Sequence, residues 1–164
     1  DVLLLAQPRV LSPRENVALD DWVRAGGHVL VFADPMLTAH SRFSIGDKRR
    51  PQDVALLSPI LARWGLEMRF DPGQTRGERT IATDLVPLPV NLAGTLHPVD
   101  GYPTATEDCW IAYDRLFAQC AIGEGQATVI ADAALFEEAE GERREMRADA
   151  LEWLTESAFG GVQG

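Results

Sequence analysis

Two aspartates follow apolar segments that have the composition of buried strands. Asp34 ends the segment HVLVFAD, and Asp132 ends the segment QATVIAD. Ligands bind open α/β sheets at the edge where the carboxyl ends of parallel strands meet, so two acids there could hold a cation or orient a hydroxyl group. The alternative is structural, because an aspartate after a strand commonly accepts hydrogen bonds from backbone amides of the next turn. The sequence favours this structural role and leaves Asp34 and Asp132 as candidate ligand-binding residues.

A second candidate is a group of basic residues within an acidic chain. His40 and Arg42 belong to it, and Lys48, Arg49 and Arg50 follow closely. Guanidinium groups bind carboxylates and phosphates through paired hydrogen bonds, so this segment could capture an anionic ligand or an acidic partner. Basic surface loops are more often simply solvated. We therefore keep His40 and Arg42 as candidate ligand-binding residues without a catalytic role.

The sequence lacks the patterns that are typical of catalytic and metal sites. Cys109 and Cys120 have strand-like neighbours, whereas a nucleophilic cysteine of this fold class needs a sharp turn rich in glycine. No serine lies in a GxSxG sequence, and no closely spaced pair of histidines or cysteines predicts a metal site. We expect no catalytic residue, no metal and no cofactor. The spacing of the two cysteines leaves open whether they form a disulfide.

The composition predicts a single globular α/β domain over residues 1–164. Of these residues, 46% are hydrophobic and 24% are charged, which suits a packed core. The net charge of -10 argues against a nucleic-acid partner, since phosphate binding needs a surplus of Lys and Arg. No apolar stretch approaches the length of about 20 residues that spans a bilayer. The chain starts within a strand-like segment rather than at a methionine, so we expect it to be a segment of a longer protein.

Helix signals separate the first two strand-like segments. Ser12 and Glu15 form a capping-box pattern, Pro13 suits the first helical position, and Gly26 and Gly27 can end the helix. The resulting order of strand, helix and strand predicts a right-handed parallel unit. The first strand is apolar throughout, as expected of a strand that is buried on both faces.

Similar signals recur along the rest of the chain. A second helix is predicted with Ser58 as its N-cap and Gly65 at its end. Prolines between residues 80 and 101 favour short edge strands. A β-hairpin is predicted near residues 115–131, and a closing helix is predicted over residues 143–158. Together these elements predict a three-layer α/β sandwich with a mostly parallel, flavodoxin-like sheet and an added β-hairpin.

Three stretches resemble a known family of transport proteins. They are LSPRENVALDDWVRAGGHVLVFADP, LLSPILARWGLEM and IGEGQATVIADAALF. In this order they resemble segments of the extracytoplasmic α/β domain of auxiliary subunits of gliding-motility-type ABC transporters. The resemblance implies a fold shared with class I glutamine amidotransferases. It also implies further α/β structure before this segment of the parent protein and a membrane helix after it.

The resemblance implies a non-catalytic ligand-binding or protein-interaction domain of an ABC-type transport system auxiliary subunit. Such a domain lies on the periplasmic side and is membrane-anchored through its parent protein. The implied partners are the ABC transporter membrane subunits or other domains of the parent chain, and a small-molecule ligand stays open. Two alternatives are a divergent amidotransferase-like hydrolase and a structural module whose exposed sheet edge pairs with the rest of the parent chain. A pocket that holds a nucleophile and a base would indicate the hydrolase, and a bare apolar edge strand would indicate the structural module.

Overall fold

The protein is a mixed α/β domain whose elements follow the order expected from the sequence. The computed structural model describes residues 1–38, 44, 47, 50, 54–99 and 109–160. The elements are β1 (Val2–Ala6), α1 (Pro13–Arg24), β2 (His28–Phe32), α2 (Ser58–Arg63), β3 (Leu66–Arg69), β4 (Arg79–Ile81), β5 (Leu88–Val90), β6 (Thr95–Pro98), β7 (Cys109–Ala112), β8 (Phe117–Ile122), β9 (Gly125–Ile130), a 3₁₀ turn (Ala134–Phe136) and α3 (Glu142–Phe159).

The main sheet has five strands in the order β1-β2-β9-β8-β7. Strands β1, β2 and β9 are parallel, whereas β8 is antiparallel to both of its neighbours. The sheet is therefore mixed, and the expected parallel arrangement holds for β1, β2 and β9 alone. The reason is the short turn at Gly123 and Glu124, where a positive φ of 60° at Gly123 lets β8 fold directly back onto β9.

The first crossover forms as the sequence predicts. The Ser12 side chain accepts a hydrogen bond from the Glu15 backbone N–H (3.3 Å), and the Glu15 carboxylate accepts one from the Ser12 backbone N–H (2.8 Å). This capping box fixes the start of α1, and Gly26 follows its end with a φ of 104°. The chain then enters β2, which pairs in parallel with β1.

Two helix predictions need correction. Helix α2 begins at Ser58 itself, its N-cap is Leu57, and no side chain caps it. The prediction of Ser58 as the N-cap was therefore wrong. The closing helix α3 is longer than predicted by one residue at each end, since it spans residues 142–159. The predicted hairpin is also larger than expected because β7 adds a third antiparallel strand.

Strand β1 lies at the edge of the sheet and is largely exposed. Val2, Leu3 and Leu4 are 55%, 36% and 42% exposed. The expectation that this strand is buried on both faces was wrong. Its apolar sequence is typical of an interior strand, but in the described part of the chain only β2 pairs with it.

The cysteines form a disulfide, which answers the question that their spacing left open. Cys109 in β7 lies directly opposite Cys120 in β8, with their Cα atoms 4.1 Å apart. The bond links the outermost strand β7 to the interior of the sheet, because Cys120 is fully buried. None of the described helices combines the length and apolar character needed to cross a membrane.

Candidate functional site

The ends of β2 and β9 bring Asp34 and Asp132 together. The two strands are adjacent and parallel, with Phe32 opposite Ile130, so both chains leave the sheet at the same edge. The Ala33 N–H still donates to the Ile130 carbonyl (2.8 Å), which keeps the two strand ends side by side. The sequence pattern therefore identified a real pair of acids at the carboxyl edge of the sheet.

Asp34 is held by backbone amides on both of its carboxylate oxygens. Its Oδ1 accepts from the Met36 N–H (2.7 Å), and its Oδ2 accepts from the Ala133 N–H (3.3 Å). The side chain is 1% exposed. The bond from Met36 is the one expected of an aspartate that ends a strand in an Asp-Pro sequence. The bond from Ala133 is additional and links Asp34 to the backbone that follows β9.

Asp132 has the same arrangement with different partners. Its Oδ1 accepts from the Ala134 N–H (2.5 Å), and its Oδ2 accepts from the Asn91 N–H (2.9 Å). The residue is 2% exposed. Because Asn91 follows β5, Asp132 connects the main sheet to the small β4–β5 sheet.

Gln7 is a third member of this site that the sequence reading missed. Its side-chain oxygen accepts from the Asp34 N–H (2.8 Å), and its side-chain amide donates to the Asp34 carbonyl (2.9 Å). Gln7 is buried and has a φ of 47°, a conformation that few residues other than glycine adopt. It lies directly after β1, so it links the carboxyl ends of β1 and β2. A buried glutamine at a strand end carries no sequence signal that distinguishes it from a surface one.

Burial dominates the electrostatics of the two acids. It raises the pKa of Asp34 to about 6 and the pKa of Asp132 to about 8, against the bonds from backbone amides, which lower both. The negative charge of Asp34 raises the pKa of Asp132 further, and Glu137 raises the pKa of both. Glu137 itself accepts a short hydrogen bond from the Thr38 hydroxyl. At neutral pH the pair therefore carries about one negative charge and holds about one proton.

The site described above does not include the other two candidate ligand-binding residues. His40 and Arg42 lie outside the described residues. His28 and His97 are described, and their rings contact the Ala158 carbonyl and the Thr95 hydroxyl, respectively. Both cysteines of the chain lie in the disulfide and present no thiol. Within the described ranges, no group of three His, Cys, Asp or Glu side chains is arranged to hold a metal ion.

An open recess of about 400 Å³ lies along α1, away from the two acids. It is bounded by residues on one side of that helix, and its walls are mainly apolar. Neither Asp34 nor Asp132 reaches it. The lining residues are Pro13, Arg14, Val17, Ala18 and Asp21.

Solved structures share this fold at low sequence identity. The N-terminal domain of mmIFT52 matches with a TM-score of 0.57 and 13% identity over 99% of this chain and 79% of that one. Gan42B, a GH42 β-galactosidase from G. stearothermophilus, matches with a TM-score of 0.54 and 15% identity over 95% of this chain and 21% of that one. Op5Man5, an exo-β-1,4-mannosidase from Opitutaceae bacterium strain TAV5, matches with a TM-score of 0.52 and 14% identity over 96% and 23%. The chain thus spans about a fifth of the length of these glycosidases. These similarities show the fold alone.

The amino-acid sequence shows which protein family the chain belongs to. No curated protein matches the chain. A family model described as a domain of unknown function, DUF4350, matches residues 1–155. The chain belongs to this family.

Proposed function

We propose that this DUF4350 domain is a non-catalytic protein-interaction domain of an ABC-type transport system auxiliary subunit. The observation that carries the non-catalytic part is the state of Asp34 and Asp132. Both acids lie at the edge where α/β sheets bind ligands, yet both are buried and already accept backbone hydrogen bonds on each oxygen. A ligand would have to open this buried region to reach the remaining lone pairs of these oxygens. Interaction through another surface is therefore favoured over catalysis or ligand binding at this edge.

The transport role is supported by the three stretches that resemble auxiliary subunits of gliding-motility-type ABC transporters. The proposed periplasmic location is supported by the disulfide between Cys109 and Cys120. Disulfides persist in oxidising compartments and are rare in the reducing cytosol. The proposed partners are the membrane subunits of the transporter or other domains of the parent chain. In this proposal the domain is held at the membrane by the anchor of its parent protein.

The finer fold assignment is part of the same proposal. We propose a three-layer sandwich that is flavodoxin-like or class I glutamine amidotransferase-like. His28 and Gln126 contact the carbonyls at the end of α3, whereas a Cβ atom on Gly125 would lie 2.1 Å from the Val23 carbonyl oxygen of α1. Adjacent residues of a strand point to opposite faces, so these contacts support helices on both sides of the sheet.

The test is photo-crosslinking of the parent protein in its native membrane. A photoreactive amino acid is placed singly at two exposed positions, Val17 on α1 and Leu85 in the loop between β4 and β5. We expect a membrane or ATPase subunit of an ABC transporter among the products, identified by mass spectrometry. Products that contain no transporter subunit from either position would overturn the transport role.

Two companion measurements test the remaining parts of the proposal. Thiol alkylation of intact cells should leave Cys109 and Cys120 unlabelled until a reductant is added. Free thiols in untreated cells would contradict the periplasmic location. Glutamine or ester hydrolysis by the purified domain that is lost in Asp34→Asn and Asp132→Asn, but retained in the surface control Asp149→Asn, would show that the domain is an enzyme.

A further inference from the structure

Arg147 is a buried cation whose hydrogen-bonding capacity is largely unused. The residue lies in α3, near the start of that helix, and is 7% exposed. Its Nη2 atom donates to the Glu78 carboxylate. Its Nε and Nη1 atoms are buried and have no hydrogen-bond partner among the described residues. Buried polar groups in folded proteins are nearly always paired, so this guanidinium group indicates a binding site for acceptor oxygens.

Glu78 uses only part of what Arg147 offers. One carboxylate oxygen contacts one guanidinium nitrogen, whereas an arginine and a carboxylate commonly form two parallel hydrogen bonds. The Glu78 side chain is 23% exposed, against 8% for that of Arg147, so it lies on the solvent side of the pair. The backbone just before it is held, because the Gly77 N–H donates to the Asn91 side-chain oxygen (3.0 Å). The Glu78 side chain can therefore rotate into solvent while the backbone stays in place.

We propose that Arg147 binds the carboxylate of a small molecule in place of Glu78. Two guanidinium nitrogens then donate in parallel to the two carboxylate oxygens, which is one bond more than Glu78 receives. Glu78 is the internal competitor, and its contact shows the chemistry that this guanidinium group accepts. The site is separate from Asp34 and Asp132, whose carboxylates accept backbone N–H groups.

The charges along this face of α3 favour an anion. Arg143 and Arg144 precede Arg147 by four and three residues, a spacing that places them on the same side of the helix. Both are exposed, and no ion pair joins either of them to another described residue. The residues at the same spacings after Arg147 are Ala150 and Leu151, so this stripe carries arginines and no acid. The approach to Arg147 along α3 is thus positive in a chain whose net charge is -10.

Proton–nitrogen NMR of the purified chain reads the site directly through the Nε–H signal of Arg147. Arg147→Lys removes this signal and so assigns it. Sodium acetate, sodium phosphate and sodium chloride are then titrated into the wild type at equal ionic strength. We expect a saturable shift with acetate and none with chloride. No saturable shift with acetate, or the same shift with chloride, would overturn the proposal. A saturable shift with phosphate alone would overturn the choice of a carboxylate.

Substitution of Glu78 tests whether it competes with the ligand. Glu78→Gln should strengthen acetate binding about tenfold or more, because the amide is a weaker partner for the guanidinium group than the carboxylate is. Glu145→Gln is the matched control, since it removes the same charge from an exposed position one turn from Arg147. Equal effects of the two substitutions would reduce the role of Glu78 to general electrostatics and overturn the competition. The wild-type titration decides whether acetate binds even if a variant fails to fold.

This proposal does not rest on the transport role. Failure of the photo-crosslinking to a transporter subunit would leave the acetate titration unchanged. An Arg147 signal that acetate does not shift would leave the transport role untouched.

Discussion

Replacing Asp132 with asparagine should flatten the dependence of stability on pH. Burial raises the pKa of Asp132 to about 8 in the folded protein, from an ordinary value of 3.8. The folded state therefore holds a proton on this carboxyl at pH values where the unfolded chain has lost it. The stability that this proton contributes is fully present at pH values below about 4 and is lost as the pH rises towards 8.

The magnitude follows from the number of protons that separate the two states. As the pH rises above about 6, Asp34 becomes ionised in the folded as well as the unfolded state, and up to about pH 8 Asp132 accounts for one extra proton in the folded state. One proton corresponds to a loss of about 1.4 kcal/mol in the free energy of unfolding per pH unit. From pH 6 to pH 7.5 the wild type should lose about 2 kcal/mol through this group alone.

Asparagine removes the titration and also weakens the site. Its single side-chain oxygen can accept only one of the bonds now donated by the Asn91 and Ala134 amides. The unpaired amide should cost about 1–3 kcal/mol at every pH. The variant should thus be clearly less stable than the wild type near pH 6, and the difference should shrink by about 2 kcal/mol at pH 7.5.

Urea unfolding measured at several pH values from 5.5 to 8 distinguishes these effects. Asp149→Asn is the matched control, because it makes the same change from aspartate to asparagine at an exposed position on α3. The control should keep the slope of the wild type. If Asp132→Asn also keeps that slope, so that the two stability curves run parallel, the account of Asp132 as a buried protonated acid is refuted.

Three other substitutions test the packing and the covalent link. Gly125→Ala should destabilise the domain by about 3 kcal/mol or more in urea, because the new Cβ would lie 2.1 Å from the Val23 carbonyl oxygen; a wild-type midpoint would contradict the contact between α1 and β9. Replacing Cys109 and Cys120 together by serine should cost about 3 kcal/mol, and a reductant should lower only the wild-type midpoint. Asp20→Asn should cost about 2 kcal/mol by thermal unfolding, since the fully buried carboxylate binds two arginines and an indole N–H; no loss would show that these bonds contribute nothing.

Local signals in the sequence predicted the first crossover and the acids after it. The capping box of Ser12 and Glu15 forms between residues three apart, so its geometry depends on little else. The positions of Asp34 and Asp132 at strand ends followed from the apolar runs that precede them. Gln7 could not be found in this way, because its role depends on the backbone of Asp34, 27 residues further along the chain.

The sequence by itself determined where strands and helices begin and end in the first part of the chain, because caps, prolines and glycines act over a few residues. It also determined that two acids follow two strands. Only the tertiary structure decided that these strands are neighbours, that Asp34 and Asp132 share a buried site, and that the apolar strand β1 lies at an exposed edge. Strand order and burial depend on contacts between residues that are far apart in the chain. A short apolar run has the same sequence whether it lies in the centre of a sheet or at its edge.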